Sequence, residues 1–314
     1  MLGTRYPDLS IEEEILEPLG AQIVAGNGAS SDAIVEQAAD ADVILAGSGP
    51  RFDAFTLGRL RARAIVRYGV GTESIDLPAA SARGMWVAYV PDYGTEAVAV
   101  HAVTLALAGV RRLIAADRSV RDGNWSFAEI RPLHLPSAMT ASVVGLGRIG
   151  RRVAEIFAAV GFSVRAHDPF LDEFPFPVEA VSLRAALASD VISLHAPGRP
   201  DGTPLIGADE IASMSSGSVL VNTSRGSLID QDALIEGLRS GAPAVAGLDV
   251  FATEPPDLQV FADVADRVIY SPHMAWYSEE SEVDLRTKAA HEAARLLEGE
   301  EPANPIVRPR EPPS

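Results

Sequence analysis

Three polar side chains of the sequence could bind and protonate a small anionic substrate. Arg225, Glu254 and His273 each follow a short apolar run that predicts a strand. Arginine holds two oxygens with its planar, permanently charged fork, and histidine exchanges protons near neutral pH. A glutamate beside the histidine would orient the imidazole ring. Because the carboxyl ends of parallel strands meet at one edge of a sheet, we expect the three residues to converge there.

A glycine-rich segment upstream of these residues predicts a dinucleotide site. Residues 145–150 follow a predicted strand and open a predicted helix, with glycine at the first, third and sixth positions. The first glycine permits a tight turn, the second lets the backbone approach a pyrophosphate, and the third packs the helix against the strand. The helix N-terminus attracts the diphosphate. The predicted cofactor contacts of this loop are Gly145, Gly147, Arg148, Ile149 and Gly150.

An acidic residue after the next predicted strand indicates which cofactor binds. Asp168 lies about 20 residues beyond the loop, where a carboxylate accepts hydrogen bonds from a ribose 2′-hydroxyl and repels a 2′-phosphate. NAD is therefore expected rather than NADP, although the nearby Arg165 leaves NADP open. The alternative interpretation is that Asp168 only caps a turn before Pro169.

Apolar runs and amphipathic stretches alternate over the middle of the chain. The predicted strands are residues 141–145, 162–166, 191–194, 219–221, 245–248 and 268–270, and the predicted helices are 149–160, 183–188, 208–214 and 231–238. Such alternation is typical of right-handed crossovers and of a mostly parallel sheet covered on both faces. We predict an α/β protein with a Rossmann-type doubly wound parallel sheet.

The beginning of the chain repeats this alternation with weaker strands, at residues 22–24, 43–45, 64–66 and 86–88. They predict a second, smaller, flavodoxin-like α/β domain into which the Rossmann-type domain is inserted. The long helical pattern over 279–297 is expected to return to it. The predicted domains are 1–93 with 281–314 for the substrate and 94–280 for NAD, with a hinge near 91–95 and the site in the cleft between domains.

Residues 117–140 mix charges with Trp125 and Phe127 and show no clean period. They predict an arm or an oligomer contact, and an ordinary surface loop anchored by the two aromatic side chains is the alternative.

Composition limits the partners of the protein. A formal charge of −17, from 43 acidic and 26 basic side chains, disfavours nucleic acid and anionic membranes. The absence of cysteine excludes disulfides and thiolate sites and favours a cytoplasmic protein. The longest apolar stretch, residues 97–110, is shorter than the roughly 20 residues of a membrane span. The histidines show no metal-ligand spacing, so no metal is expected.

The order of these features resembles the D-isomer-specific 2-hydroxyacid dehydrogenase family over almost the whole chain. The residues that carry the resemblance are 67–71 with Ile75 and Asp76, the glycine loop, 195–197, 222–230, Asp249 with Glu254, and Pro272 with His273. The resemblance implies NAD(H)-linked interconversion of a 2-oxo acid and a D-2-hydroxy acid, by a homodimer built on the cofactor domains.

The same resemblance implies roles for individual residues. Arg225 would bind the substrate carboxylate and carbonyl, Glu254 would orient His273, and His273 would be the acid or base. The backbone at Val70 and Gly71 would hold the substrate carboxylate. Further cofactor contacts are expected from His195, Ala196, Pro197, Thr223 and Asp249.

Residues 273–278 are most similar to the C-terminal-binding-protein branch, in which a tryptophan three places after the histidine faces the substrate. Trp276 is therefore expected to contact a larger or apolar 2-oxo acid, or else to pack in a core or interface. Two alternative functions stay open: an NAD(H)-sensing dimeric binding protein of that type, and an NADP-preferring glyoxylate or hydroxypyruvate reductase. His195 is a rival acid, although no glutamate or arginine motif accompanies it.

Overall fold

The computed structural model describes residues 1–4, 6, 8–175, 177–199 and 201–309. The chain divides into two compact units, one formed by Met1–Tyr93 with Ser278–Ser314 and the other by Gly94–Tyr277. The later boundary falls before Ser278 rather than at residue 281. Ser278 is the N-cap of the last helix, and its hydroxyl accepts a hydrogen bond from Ser281 N.

The helices and strands follow one another in the alternating order that the sequence predicts. The strands are β1 (Val43–Ala46), β2 (Ala64–Arg67), β3 (Trp86–Tyr89), β4 (Thr140–Val144), β5 (Ser163–His167), β6 (Glu179–Ala180), β7 (Val191–Leu194), β8 (Val219–Asn222), β9 (Val245–Leu248), β10 (Val268–Tyr270) and β11 (Pro305–Val307). The α-helices are α1 (Ser10–Leu16), α2 (Ser31–Ala38), α3 (Ala54–Arg59), α4 (Leu77–Ala82), α5 (Thr95–Val110), α6 (Leu113–Arg121), α7 (Arg148–Val160), α8 (Leu183–Leu187), α9 (Ala208–Ala212), α10 (Gln231–Ser240) and α11 (Glu279–Leu297).

The smaller unit contains a four-stranded sheet of order β1-β2-β3-β11, in which only the β3–β11 pair is antiparallel. The strand predicted at residues 22–24 is wrong. Two isolated parallel bridges, from Leu2 to Gly26 and from Leu2 to Ala46, stand at this edge instead. Pairing stops after one residue because Gly3 turns the chain with a φ of +67°. The bridges still give the flavodoxin order, because the N-terminal segment at Leu2 lies between the second segment, at Gly26, and the third, which is β1.

The larger unit is built on a seven-stranded parallel sheet of order β10-β9-β8-β7-β4-β5-β6. The chain starts at β4, winds outward through β5 and β6, and then returns to add β7 to β10 on the other side. The strand order therefore reverses between β4 and β7, which is where such sheets bind ligands at their carboxyl edge. The predicted Rossmann-type doubly wound sheet is confirmed.

Apolar side chains cover both faces of this sheet in two separate clusters. On one face α5 lies close to β8 and α7, because its inward residues Ala99, Ala102 and Ala106 are small and fully buried. Of the described helices, none by itself combines the length and composition of a membrane span. The α5–α6 pair meets those criteria only together, with a bend of 59°.

The beginning of the segment from 117 to 140 is more regular than its sequence predicts. Residues 117–121 complete α6, where Arg121 pairs with Asp117 at 2.7 Å and Arg118 pairs with Asp266. Two short 3-10 turns follow, at Ala128–Ile130 and Pro136–Ala138. The helix has no buried residue of its own, and both of these charged pairs are exposed.

Candidate active site

The register of the parallel strands aligns five of the predicted site residues in one row. The last paired residues, taken across the sheet, are His167, Val144, Leu194, Asn222, Leu248 and Tyr270. The residue after each of them lies at the carboxyl edge of the sheet. In the same order these are Asp168, Gly145, His195, Thr223, Asp249 and Ser271. The sequence predicts a site role for all of them except Ser271.

The three glycines of the loop after β4 have different surroundings. Gly145 has a φ of +94°, and a Cβ there would lie 2.7 Å from the backbone carbonyl of His195. A Cβ at Gly150 would collide with the carbonyl oxygen of Gly145. A Cβ at Gly147 would meet nothing within 4 Å, and no side chain caps α7 at that residue. Gly145 and Gly150 are therefore required by packing, whereas Gly147 leaves the N-terminus of α7 open to an anion.

Asp168 is bound to the glycine loop through its own carboxylate. Its Oδ2 accepts a hydrogen bond from Leu146 N at 2.8 Å, and its Oδ1 accepts one from Phe170 N at 3.0 Å. A carboxylate has lone pairs for further donors, so these bonds leave room for a ribose hydroxyl. Arg165, which could have favoured a 2′-phosphate, pairs with Glu179 at 3.1 Å.

His195 is held as a neutral ring. Its Nε2 lies 2.8 Å from Ser193 Oγ, and burial lowers its pKa to about 3. Its Nδ1 is buried and has no hydrogen-bond partner within the described ranges. Desolvation thus favours the neutral ring, which argues against His195 as the rival acid. Ala196 is half-buried and Pro197 is exposed.

The loop after β8 is shaped by Asn222, which is 1% exposed. Its amide donates to the carbonyl oxygen of Arg225 at 2.8 Å and accepts from Ser224 N at 3.1 Å. Arg225 is half-buried, and its Nη1 donates to Ser224 O at 2.8 Å. Thr223, between them, has a buried hydroxyl without a partner among the described residues.

The carboxylate of Asp249, also 1% exposed, organises the loop after β10. Its Oδ1 accepts from Ser271 Oγ at 2.6 Å and from Met274 N at 3.0 Å, and its Oδ2 accepts from Ala275 N at 2.9 Å. Its main-chain oxygen accepts from His273 N at 2.8 Å. Residues 271–275 therefore surround Asp249, and its contact with the nicotinamide half stays a prediction.

The structure brings His273 and Glu254 together. Nδ1 of His273 lies 2.7 Å from Oε2 of Glu254, and Oε1 of Glu254 accepts from Phe251 N at 3.0 Å. His273 has a φ of +52°, a left-handed conformation that residues with a Cβ rarely adopt. Its side chain is 49% exposed. The pair is thus an oriented imidazole that can exchange a proton through Nε2.

Sequence reasoning missed three residues of this arrangement. Asn222 shapes the arginine loop, while Ser271 and His101 form a hydrogen bond of 2.9 Å beside Asp249. The signal for Asn222 and Ser271 is a polar residue at a strand end, next to a predicted site residue. The signal for His101 is a polar side chain on an otherwise apolar helix, which needs a buried partner.

The family model described as D-isomer specific 2-hydroxyacid dehydrogenase, NAD binding domain, matches residues 103–275, more than half of the chain. The chain belongs to the D-isomer-specific 2-hydroxyacid dehydrogenase family. The resemblance noted in the sequence is therefore confirmed, and so is NAD as the cofactor.

Three relatives illustrate how far this family membership extends. D-3-phosphoglycerate dehydrogenase from Archaeoglobus fulgidus is 32% identical over 97% of this chain, which spans only 59% of that relative. Glyoxylate reductase from Korarchaeum cryptofilum is 34% identical, and the similarity covers 88% of this chain and 85% of the length of that relative. The structure of D-lactate dehydrogenase from Aquifex aeolicus complexed with NAD and lactic acid is 26% identical and has a TM-score of 0.86, covering 98% of this chain and 99% of that chain.

The residues at the carboxyl edge of this family member fit NAD. Buried polar atoms normally have partners, and the Thr223 hydroxyl and His195 Nδ1 lack them within the described residues. Both residues lie in the same row as Asp168 and as Gly145, the first residue of the loop in which Gly147 leaves the backbone open. These are the residues that would hold the cofactor.

The remaining predicted substrate residues lie outside this row. Val70 and Gly71 follow β2 in the smaller unit, and Val70 is 46% exposed. Trp276 lies in the larger unit, where its ring meets Tyr277 edge-on at 5.6 Å and its Cβ lies close to Gly94. Their contact with a substrate stays a prediction. Within the described part of the chain, no group of three His, Asp or Glu side chains could hold a metal ion.

Proposed function

We propose that the protein catalyses NAD(H)-dependent interconversion of a 2-oxo acid and a D-2-hydroxy acid. The observation that carries this proposal is the 2.7 Å hydrogen bond between His273 Nδ1 and Glu254 Oε2. It fixes one ring nitrogen and aims the other at a reacting oxygen, as an acid-base catalyst requires. A protein that only senses NAD(H) has no need of an oriented acid.

His273 is the proton donor in the reductive direction. Its Nε2–H protonates the carbonyl oxygen of the 2-oxo acid, and in the oxidative direction the same nitrogen takes the hydroxyl proton. Glu254 keeps a proton at Nδ1, because an ionised carboxylate only accepts hydrogen bonds. Bound NAD(H) supplies or accepts the hydride.

Other residues hold the substrate in this proposal. The guanidinium of Arg225 binds the carboxylate and the carbonyl oxygen, since its planar fork matches two oxygens at once. The backbone N–H groups at Val70 and Gly71 also bind the carboxylate, and Trp276 faces the substituent at C3. The phosphoglycerate, glyoxylate and lactate enzymes among the relatives suggest a small substrate with one carboxylate beside the reacting carbon.

The test is steady-state oxidation of NADH with a panel of 2-oxo acids of increasing side-chain size. We expect the wild type to turn over at least one of these 2-oxo acids. Arg225→Ala should lower kcat/KM for that substrate by about 10²- to 10³-fold, the effect of removing one preorganised donor. NADH affinity, measured by fluorescence titration, should stay close to that of the wild type. Arg239→Ala is the matched control, because Arg239 pairs with Asp263 at 2.6 Å on the surface of α10. Tight NADH binding without turnover of any 2-oxo acid would refute the enzyme and favour the sensing protein.

We propose that the protein is a homodimer held by the larger unit. Large apolar side chains are exposed along α6 and the segment after it, including Leu113 (58%), Trp125 (90%), Phe127 (67%) and Leu135 (66%). Apolar surface of this kind marks an interaction site. Sedimentation velocity should show twice the chain mass of 33.1 kDa, and Trp125→Ser combined with Phe127→Ser should shift the protein toward the monomer. A wild-type monomer would contradict this assignment.

A further inference from the structure

A chain of hydrogen bonds runs from α5 to the loop that carries His273. His101, on α5, has its Nε2 at 2.9 Å from Ser271 Oγ, although the two residues are 170 positions apart. Ser271 Oγ lies 2.6 Å from Asp249 Oδ1, and His101 Nε2 lies 3.6 Å from the same oxygen. Asp249 is buried at 1% exposed, His101 is 22% exposed and Ser271 is half-buried, so the three side chains are partly or fully shielded from water.

The direction of each hydrogen bond follows from the chemistry of the groups. An ionised carboxylate can only accept, so the Ser271 hydroxyl donates its single proton to Asp249. The serine oxygen then accepts from His101, which places a proton on Nε2 of that ring. Every donor in the chain therefore points toward Asp249, and loss of the serine hydroxyl would remove one of the three hydrogen bonds to that carboxylate together with the hydrogen bond of His101 Nε2.

Asp249 connects these hydrogen bonds to the backbone of the loop that carries His273. Its carboxylate accepts from Met274 N and Ala275 N, and its main-chain oxygen accepts from His273 N. His273 sits between these anchors with a φ of +52°. Because a residue with a Cβ is disfavoured in the left-handed region, the surrounding bonds must hold it there. Ser271 is the only side chain of the loop that the described structure bonds to Asp249.

We propose that Ser271 and His101 are positioning residues for His273. They hold the carboxylate of Asp249 in place. That carboxylate holds the left-handed turn at His273, and the turn keeps Nδ1 of His273 within hydrogen-bond distance of Glu254. Neither residue touches the reacting atoms. This assignment rests on the proposed role of His273 as the acid or base.

The kinetic test compares two substitutions at one position. Ser271→Ala should lower kcat by about tenfold, the equivalent of one lost hydrogen bond, with a smaller change in the KM of the 2-oxo acid. Ser271→Thr keeps the hydroxyl and should restore kcat. Ser218→Ala is the control, since Ser218 is more deeply buried than Ser271 at 1% exposed, lies before β8 at the opposite edge of the sheet, and has no side-chain partner among the described residues. A lower melting temperature with an unchanged kcat for Ser271→Ala would mean that Ser271 is only structural, and would overturn the proposal.

The spectroscopic test needs no turnover, so it separates failure of this proposal from failure of the proposed reaction. The proton on His273 Nδ1, hydrogen bonded to Glu254, should give a downfield NMR resonance in the cofactor-free protein. Its assignment is checked by its loss in His273→Gln and Glu254→Gln. We expect Ser271→Ala and His101→Met to shift or broaden it, and Ser271→Thr, His101→Gln and Ser218→Ala to leave it in place. A resonance unchanged in both Ser271→Ala and His101→Met would overturn the proposal.

Discussion

The loops after β7 and β10 each place a histidine at the carboxyl edge of the same sheet. The two rings differ in their solvent exposure and in their hydrogen-bond partners. His195 has ordinary backbone pairing with β4, a serine hydroxyl on Nε2 and a pKa lowered to about 3 by burial. His273 stands in a left-handed turn, is about half exposed at 49%, and has a carboxylate on Nδ1.

The difference shows that a histidine at a strand end is not by itself a catalytic acid. Solvation and the partner of one ring nitrogen decide what the other nitrogen can do. Burial without an opposite charge disfavours the protonated ring, whereas a carboxylate on one ring nitrogen orients the imidazole and leaves the other nitrogen for a reacting group. His195 is therefore suited to a neutral contact, and His273 to proton exchange.

Substitution of the two histidines should differ most in its effect on turnover. His273→Asn should lower kcat by about 10²- to 10⁴-fold, because it removes the positioned acid. His195→Asn should instead weaken NADH binding by about three- to tenfold, the worth of one hydrogen bond, while most of kcat is kept at saturating NADH. Steady-state kinetics and fluorescence titration of NADH measure both quantities. Equal losses of kcat in the two variants would contradict the division of roles.

A smaller effect concerns stability and pH. His195 has a folded-state pKa below its unfolded value, so protons bind the unfolded chain more readily than the folded one. Its stabilising contribution is complete above about pH 6.5 and is lost as the pH falls toward about 3. Between pH 7 and pH 5 this linkage should cost about 2 kcal/mol of unfolding free energy.

Urea denaturation of the wild type and of His195→Asn at both pH values measures that contribution. The wild type should lose more stability than the variant over this interval, by about the predicted 2 kcal/mol. Parallel losses in the two proteins would show that His195 is not buried as a neutral ring.

The fold could be predicted where apolar runs are continuous. Six of the seven strands of the larger unit were predictable because a parallel sheet covered on both faces requires buried runs such as Val191–Leu194 and Val219–Asn222. The seventh, Glu179–Ala180, was not predicted, since both of its residues are exposed. The segment at 22–24 failed because a short apolar run says nothing about whether a partner strand exists. Among the described residues of that edge, the sheet pairing consists of two isolated bridges of Leu2, to Gly26 and to Ala46, and Gly3 then turns the chain.

The candidate site also contains residues that local sequence patterns predict and residues that they do not. Arg225, Glu254, His273 and the glycine loop could be found because their residue types follow strands at readable positions. The roles of Ser271 and His101 could not, because each depends on a partner far away in the chain.

The sequence alone determined the alternating α/β order, the loop at residues 145–150, and the set of polar residues at strand ends, since all of these are local patterns. Tertiary structure decided which of those residues share one edge, which histidine ring is desolvated, and that the Asp249 carboxylate holds the loop after β10. The physical reason is that hydrogen bonding and desolvation depend on neighbours in space, which the register of β4 with β7 to β10 sets and no local pattern encodes.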